Sequence, residues 1–449
     1  MKIRYFCVCQ ILICLLILFP AFSQEKKADE SAVKEWEKTL RFGIETEIID
    51  VVKKIKDYGE ESLNPLLLET LSKSINPSLR TAILNYFTEK KYTAAEGVAF
   101  TILKNHIDED PEVVRALISY LSEVKSMRSL DIFVELVDAE ESLLANGAIQ
   151  AIGTLGDTSQ VEFLLKKLHD SELKQDRKPT IIKALGVLKA KEALSELIKI
   201  VNNKEEDKIW RMYACESLGK IGVEEAIGPL KSVLAEKDPL LRAYAASALA
   251  NFDLNQVIDV LIECLKDSSW KVRLAACSAL ARPGADKALE ILIYKVNKDP
   301  ENVIKTEAIK TLAAMNNPQA FSFLRDYILD QGKNTNLRDW AVAQLLEKNL
   351  GPETVIALEK LLKQEWNNKE KAMLEATCKR LMTACSPLLK PLYLLMLEHQ
   401  NYLIRVNAIR GIAANGFADL KARLEELAKK DSIEVVRKEA ESALSKFNF

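Results

Sequence analysis

The 449-residue sequence has few of the residues that interrupt helices and few of those that carry catalysis. It contains 15 glycines, 13 prolines and three histidines. This scarcity of glycine and proline favours helices joined by short loops. The sequence also lacks a glycine-rich phosphate loop, a Gly-x-Ser-x-Gly elbow and a Cys-x-x-Cys motif, so the common nucleotide-binding, hydrolase and dithiol signatures do not apply.

The histidines and cysteines give no reason to expect a metal or cofactor. His106, His169 and His399 are far apart, each near the end of a predicted helix. Five cysteines follow the N-terminal region, all in predicted helices beside apolar residues, which is typical of small buried side chains. They are Cys215, Cys264, Cys277, Cys378 and Cys385. Their odd number excludes complete internal pairing. A single disulfide between Cys264 and Cys277, on the two helices of one predicted hairpin, stays open.

Charge of one sign is not in excess. The chain has 63 basic and 65 acidic residues, a net charge of −2. Nucleic-acid binding relies on surplus positive charge, so we expect no nucleic-acid partner.

The N-terminus predicts export. Lys2 and Arg4 precede an apolar run from Phe6 to Phe19, and the small residues Ala21 and Ser23 predict cleavage before Gln24. Residues 1–23 are therefore interpreted as a signal peptide, with an uncleaved membrane anchor as the alternative. The rest of the sequence has no second apolar run of spanning length, so we expect no membrane insertion after cleavage and a periplasmic or extracellular location.

A sequence pattern recurs about every 32 residues. An apolar residue and a basic residue are followed by small or apolar residues three, six and seven positions later. Arg242, for example, leads to Ala245, Ala248 and Leu249. These positions share one face of a helix, which we call helix B of each repeat. A second apolar-periodic helix, A, precedes each B, and Asp-Pro turns such as Asp238-Pro239 suit the start of B.

The basic position is conspicuous along the chain. It is occupied by Arg80, Arg115, Lys178, Arg211, Arg242, Arg273, Lys305, Arg338, Lys371, Arg405 and Arg437. A twelfth copy, at Ala145, keeps the apolar positions but lacks the base. About twelve hairpins are therefore predicted over residues 62–449. Residues 24–61, with an apolar face that includes Ile48 and Ile55, are interpreted as an N-terminal helical cap, with a degenerate thirteenth hairpin as the alternative.

This pattern resembles HEAT repeats, in particular the short bacterial HEAT-like variety also seen in phycobilisome lyases. Asp110-Pro111-Glu112-Val113-Val114-Arg115 and the segment from Asp431 to Arg437 carry the resemblance. It implies an all-α, right-handed α-solenoid of the armadillo/HEAT type, with B helices on a concave face that suits a protein or peptide. It also implies that each base bonds to an acid in a turn and ties adjacent repeats. Each base here has an Asp, Asn or Glu within about seven residues upstream.

Large aromatic residues in the middle repeats are the candidate partner-binding positions. Tyr213, Tyr244 and Trp340 share one register, two residues after the base, and either pack half-buried or line the groove. Met212 and Glu216 are expected to point into the groove. The complete candidate set is Trp210, Met212, Tyr213, Glu216, Tyr244, Trp270 and Trp340.

Three functional hypotheses follow, because a fold does not fix a function. The first is an exported, non-catalytic scaffold that binds a protein or peptide along the concave face. The second is a lyase-like or chaperone-like helper that acts on another protein, which the shared repeat type suggests. The third is a structural envelope protein that self-assembles. The oligomeric state stays open.

Overall fold

The computed structural model describes residues 28–368 and 370–446. Over these residues the chain forms 26 α-helices and no strand, which confirms the all-α solenoid of helical hairpins. The predicted signal peptide lies outside the described residues, as do residues 24–27 of the predicted cap. None of the described helices combines the length and the apolar character that a bilayer span requires.

The helices alternate between A and B along the chain, with A odd-numbered and B even-numbered. They are α1 Glu30–Phe42, α2 Glu45–Tyr58, α3 Asn64–Lys73, α4 Pro77–Lys90, α5 Glu96–Leu103, α6 Pro111–Glu123, α7 Leu130–Leu136, α8 Ser142–Leu155, α9 Val161–His169, α10 Lys178–Val187, α11 Leu194–Asn202, α12 Lys208–Ile221, α13 Ile227–Val233, α14 Pro239–Leu249, α15 Leu254–Cys264, α16 Trp270–Leu280, α17 Leu289–Lys298, α18 Asn302–Ala314, α19 Pro318–Leu329, α20 Thr335–Lys348, α21 Pro352–Glu365, α22 Ala372–Thr383, α23 Lys390–Leu397, α24 Tyr402–Asn415, α25 Lys421–Lys430 and α26 Glu434–Ser445.

These helices form thirteen hairpins, numbered 1 to 13, in two compact units. Unit 1, Met1–Ala190, holds hairpins 1–5, and unit 2, Lys191–Phe449, holds hairpins 6–13. Hairpin 1 comes from the segment predicted as the N-terminal cap, and the other twelve lie in the predicted array. Within each unit, helix A packs on its own helix B, and successive B helices pack on one another.

Helix α14 shows why the repeat sequence folds in this way. The Asp238 side chain accepts hydrogen bonds from the N–H groups of Leu240 and Leu241, and Pro239 occupies the first helical position, where its missing N–H costs nothing. Ala245 and Leu249 are buried on the face that the period predicts. The Asp299-Pro300 turn of hairpin 9 differs from this one, since α18 begins at Asn302, two residues beyond Pro300.

The short 3-10 turns that precede many A helices were not predicted from the sequence. Nine 3-10 turns directly precede A helices in the described chain: Glu61–Leu63, Thr93–Ala95, Met127–Ser129, Thr158–Gln160, Lys191–Ala193, Glu224–Ala226, Asp286–Ala288, Pro387–Leu389 and Ala418–Leu420. Such turns are common at helix ends, where i to i+3 bonds satisfy free backbone groups. Helix α13 consequently starts at Ile227, after the 3-10 turn Glu224–Ala226.

Candidate functional site

At seven of the eleven predicted positions the basic residue ties one hairpin to the next, as the resemblance implied, but through an acid that lies downstream. Arg242 donates from Nε and Nη2 to the two carboxylate oxygens of Asp267, at 2.9 and 2.8 Å, and from Nη1 to the Glu236 and Lys237 carbonyls. Asp267 lies in the turn of the following hairpin. The acid upstream of Arg242, Asp238, instead caps α14. The expectation of an upstream partner is therefore wrong, because upstream acids occupy the N-cap.

The same arrangement recurs, and we call it the arginine ladder. Its pairs are Arg80–Glu109 and Arg115–Glu141 in unit 1, and Arg211–Glu236, Arg242–Asp267, Arg273–Asp299, Arg338–Glu365 and Arg405–Asp431 in unit 2. Burial alone would raise the pKa of Asp299, but hydrogen bonds from Arg273, from the Glu301 N–H and from Lys295 outweigh burial and lower it. The seven paired arginines thus have structural partners within the protein.

Four of the eleven predicted base positions lie outside the seven ladder pairs of the described chain: Lys178, Lys305, Lys371 and Arg437. Lys305 is half-buried in the first turn of α18, and Arg437, in the last hairpin, donates to the Asp431 carbonyl in the turn of its own hairpin. Lys371 is exposed and lies one residue before α22, so it is too early to reach the next turn.

Lys178 is the first residue of α10, and its neighbour Arg177 is the buried base in that hairpin. Arg177 donates to the carbonyls of Val137 and Ala139, at 2.9 and 2.5 Å, in the turn of hairpin 4. Hairpin 4 has Ala145 in place of a base. The Ala139 carbonyl that Arg177 binds lies six residues before Ala145, as the Glu236 carbonyl lies six residues before Arg242, which binds it.

The candidate aromatic residues divide into separate groups. Tyr213 and Tyr244, each the sixth residue of its B helix, are half-buried and form an edge-to-face pair with ring centroids 6.4 Å apart. Trp340 is the sixth residue of α20 and is also half-buried. Trp210 is half-buried in the first turn of α12, and Trp270 begins α16 and is 42% exposed.

The groove prediction is wrong for Met212. This side chain is 7% exposed and belongs to the core of unit 2. Its helical position, next to the ladder arginine, faces the packed side of α12. Glu216 is half-buried, and its carboxylate accepts a hydrogen bond of 2.7 Å from Lys220 one turn later on the same helix.

Trp340 lies in a charged setting that sequence reasoning missed. The Lys310 ammonium is 4.9 Å from the centre of the indole, and the Arg380 guanidinium carbon is 6.0 Å from it, both within cation–π range. Arg380 also binds both carboxylate oxygens of Asp339, at 2.5 and 2.6 Å. Both cations therefore contribute to holding the indole in place while part of it stays exposed.

The sixth and ninth residues of neighbouring B helices contact one another repeatedly. Ser278, ninth in α16, donates to Glu307, sixth in α18, at 2.9 Å. Lys310, ninth in α18, lies against Trp340, sixth in α20. The register that selected Tyr213 also contains Glu307, and the register that selected Glu216 also contains Lys310. Sequence reasoning could have found Glu307 and Lys310 by following the positions two and five residues after the base through every repeat, instead of selecting aromatic residues alone.

We call this surface the B-face: Tyr213, Glu216, Tyr244, Ser278, Glu307, Lys310, Trp340 and Arg380. It combines partly exposed rings with fixed charges of both signs. Aromatic side chains offer large contact area at a small entropic cost, and fixed charges favour selectivity. The structure therefore brings Tyr213, Tyr244, Trp340 and Glu216 onto sixth and ninth positions of B helices, whereas Trp210 and Trp270 lie at the starts of theirs.

The thiols and histidines are held in structural contacts. Cys215, Cys264, Cys277 and Cys378 are buried free thiols, and burial raises the pKa of each to about 12. The alternative of a Cys264–Cys277 disulfide is thus not realised. Cys385 is exposed in the segment between α22 and the next 3-10 turn, so its predicted helical, buried setting is wrong.

The histidines lie at the ends of A helices, as predicted. His399 is 5% exposed; its Nδ1 accepts from the Asn401 N–H at 2.9 Å, which leaves Nε2 as the donor to the Trp366 carbonyl at 3.1 Å. Over residues 28–368 and 370–446, His, Cys, Asp and Glu side chains form no group of three that would hold a metal ion.

Comparison with solved structures gives helical-repeat proteins at low identity. They include the CpcE–CpcF complex of phycocyanin lyase from Nostoc sp. PCC7120 (17% identity, 52% of this chain and 93% of that chain, TM-score 0.33). Kap95p in a complex with RanGDP matches at 12% identity (95% and 68%, TM-score 0.46), and the Escherichia coli protein YibA at 20% (55% and 90%, TM-score 0.37).

The sequence comparisons are more specific. No curated protein matches the chain. The family described as spirochaete HEAT repeat protein matches residues 40–443, which include almost all of the described hairpins. The chain therefore belongs to the spirochaete HEAT repeat protein family.

Proposed function

We propose that this HEAT-repeat protein is an exported scaffold that binds a protein or peptide partner on the B-face of unit 2 and has no catalytic role of its own. The observation that carries the proposal is the run of partly exposed aromatic rings at one register of the B helices, held among paired charges. Tyr244 packs on Tyr213, and Trp340 lies among Lys310 and Arg380.

The pre-organised contacts of the B-face support binding. A ring that is already packed on a neighbour loses little freedom when a partner covers its exposed side, so more of the contact energy appears as affinity. The Arg380–Asp339 pair fixes a guanidinium beside the indole. Fixed cations and anions on one surface suit a polypeptide that carries both charges.

Site-specific photo-crosslinking in cells that make the protein tests the binding surface. A benzophenone amino acid replaces Ser247, which is exposed on α14, the helix of Tyr244, or Ser232, which is exposed on α13, the A helix of the same hairpin. The proposal expects a discrete crosslinked band from the Ser247 position and none from the Ser232 position. Equal crosslinking from both, or none from either, contradicts it.

The mass of the purified native chain tests export. The proposal expects a chain that begins at Gln24, recovered from the periplasmic or secreted fraction. A chain that retains Met1 and fractionates with membranes would support the uncleaved anchor instead.

A further inference from the structure

We propose that unit 1 carries a second docking surface, on the edge formed by its A-to-B turns, for an extended, basic protein segment with an apolar residue at about every third position. The surface is a row of exposed apolar side chains that we call the turn row: Phe42, Ile44, Ile75, Ile107 and Leu143. It is separate from the B-face and does not depend on the function proposed above.

The turn row is unusually exposed. Phe42, Ile75 and Ile107 are 83%, 83% and 82% exposed, and Ile44 and Leu143 are 66% and 61% exposed. Single exposed apolar side chains are ordinary on protein surfaces, whereas contiguous ones mark interaction sites. A partner that covers these side chains gains the hydrophobic stabilisation that the free chain lacks.

Contacts between neighbouring turns place the side chains of the row along one edge. Asn76, in the turn of hairpin 2, donates to Glu45 of hairpin 1 at 2.6 Å. Arg80 binds Glu109 of hairpin 3. Arg115 of hairpin 3 lies 3.3 Å from Glu141 of hairpin 4. The four turns that bear the row therefore lie side by side.

The spacing of the row indicates the conformation of its occupant. Packed helices are about 8–10 Å apart, and an extended chain advances about 3.1–3.3 Å per residue. One hairpin step thus corresponds to about three residues of an extended segment. A segment of about ten residues reaches across the four turns, with every third side chain on the row.

Charge complementarity indicates the composition of the occupant. Exposed acids flank the apolar side chains, among them Glu45 and Asp108. In these turns, residues 42–47, 74–78, 104–112 and 138–143, the sequence has nine acids and one Lys or Arg residue, Lys104. Five of the nine acids pair with a nearby arginine or lysine, which leaves four carboxylates, those of Glu45, Glu47, Asp108 and Asp110, outside the ion pairs of the described chain. Lysine or arginine between the apolar residues of the partner would therefore be attracted, and an anionic bilayer would be repelled.

The corresponding turns of unit 2 lack this combination. No large apolar side chain in the described part of unit 2 is more than 59% exposed, whereas every member of the turn row is at least 61% exposed. Ile209, in the first turn of α12, and Val303, in the first turn of α18, are only 41% and 38% exposed. They provide a matched control within the same molecule.

Fluorescence anisotropy on the purified full chain tests the proposal with a labelled peptide of five Leu-Lys-Pro triplets, which is extended and basic. A peptide of five Leu-Glu-Pro triplets has the same shape and the opposite charge. We expect the basic peptide to bind at least tenfold more tightly than the acidic one, and to weaken as salt rises. We expect a loss of at least tenfold in the variant Phe42→Ser, Ile75→Ser, Ile107→Ser.

The control variant, Ile209→Ser with Val303→Ser, should bind the basic peptide within twofold of the native chain. All these positions are exposed, so both variants should keep the native circular-dichroism spectrum. The proposal is overturned if the triple variant binds normally or if both peptides bind equally. It is also overturned if sedimentation shows a dimer that the triple variant loses, or if anionic vesicles bind through these residues. Crosslinking at Ser247 is unaffected by these outcomes, so the two proposals fail separately.

Discussion

Two runs of hairpins in this protein share one repeat pattern but differ in how completely their arginines pair with acids and how deeply those pairs are buried. In hairpins 6–9 of unit 2, three successive arginines pair with acids of the next turn, and Arg273 and Asp299 are both nearly excluded from solvent. In hairpins 3–5 of unit 1, the Arg115–Glu141 pair is about one third exposed, and the next base is replaced by Ala145. Repeat-protein stability is a sum of local and nearest-neighbour contributions, so the two runs should differ in cohesion.

The difference shows how a degenerate repeat is tolerated. Where Ala145 leaves turn carbonyls without their arginine, Arg177 of the next hairpin supplies the missing donors. It does so without an acidic partner, and its Nε has no hydrogen-bond partner in the described chain. Between hairpins 4 and 5 the ladder pair is therefore replaced by arginine–carbonyl bonds, while Lys167 and Lys174 of hairpin 5 pair with Asp138 and Glu140 of hairpin 4 nearer the surface.

The largest difference between the runs is expected on deleting a ladder acid. Asp299→Ala leaves Arg273 buried without its partner and should cost about 3–5 kcal/mol. The matched change in unit 1, Glu141→Ala, removes a partly exposed contact and should cost about 0–1 kcal/mol. Hydrogen exchange of the peptides around each site measures the local free energy of unfolding. Equal losses in the two units would contradict the comparison.

Helix packing should give the next largest effect. A Cβ on Gly219, in α12, would lie 2.8 Å from the Ala248 Cα, so Gly219→Ala must push α12 and α14 apart. We expect a destabilisation of about 1–3 kcal/mol. In α8 of unit 1, a Cβ on Gly147 meets only Ile118, at 3.7 Å. Gly147→Ala should stabilise by about 0.5–1 kcal/mol through helix propensity. Urea denaturation followed by circular dichroism distinguishes the two signs.

Acid should affect unit 2 through its ladder. The pKa values of Asp267, Asp299 and Asp431 are lowered, because hydrogen bonds to the arginines and nearby N–H groups outweigh the opposing effect of burial. A lowered folded-state pKa contributes stability that is complete above the ordinary value of 3.8 and is lost as the pH falls through the folded value. Hydrogen exchange should therefore show constant protection of these turns near neutral pH and a loss below about pH 4. A loss that begins above pH 6 would contradict this assignment.

The smallest effects concern residues with left-handed backbone just after B helices. Lys189, two residues after α10 in unit 1, has φ 51°, and Gly222, directly after α12 in unit 2, has φ 69°. Left-handed backbone costs an L-residue about 1 kcal/mol. Lys189→Gly should stabilise unit 1 by about 0.5 kcal/mol, since the added chain entropy offsets part of the relief. Gly222→Ala should destabilise unit 2 by about 1 kcal/mol. Thermal midpoints of the two variants should move in opposite directions.

The helical repeat could be predicted because its signals are local. Ala245 and Leu249 follow Arg242 at helical spacing, and Asp238 with Pro239 begins the helix. The sequence left hairpin 1 open between a helical cap and a degenerate repeat, since Ile48 occupies the ladder position without a charge. The 3-10 turns were not predicted because they depend on a few backbone hydrogen bonds and not on an apolar period.

The candidate site was less predictable, since it depends on contacts between hairpins. The acid that pairs with Arg242 is 25 residues downstream, and the sequence offers nearer acids. The setting of Trp340 requires Lys310 and Arg380 from two other hairpins. The burial of Met212 and the exposure of Cys385 follow from where helices begin and end, which apolar spacing defines only to within a few residues.

A double-mutant cycle on Arg273 tests most directly the claim that each arginine ties its hairpin to the next. The cycle compares Arg273→Met, Asp299→Ala and their combination with a parallel cycle that uses Asp267→Ala, the acid upstream of Arg273. We predict a coupling of about 1–3 kcal/mol between Arg273 and Asp299, and a much smaller coupling with the Asp267 side chain. A coupling with Asp267 that equals or exceeds the one with Asp299 would contradict the account.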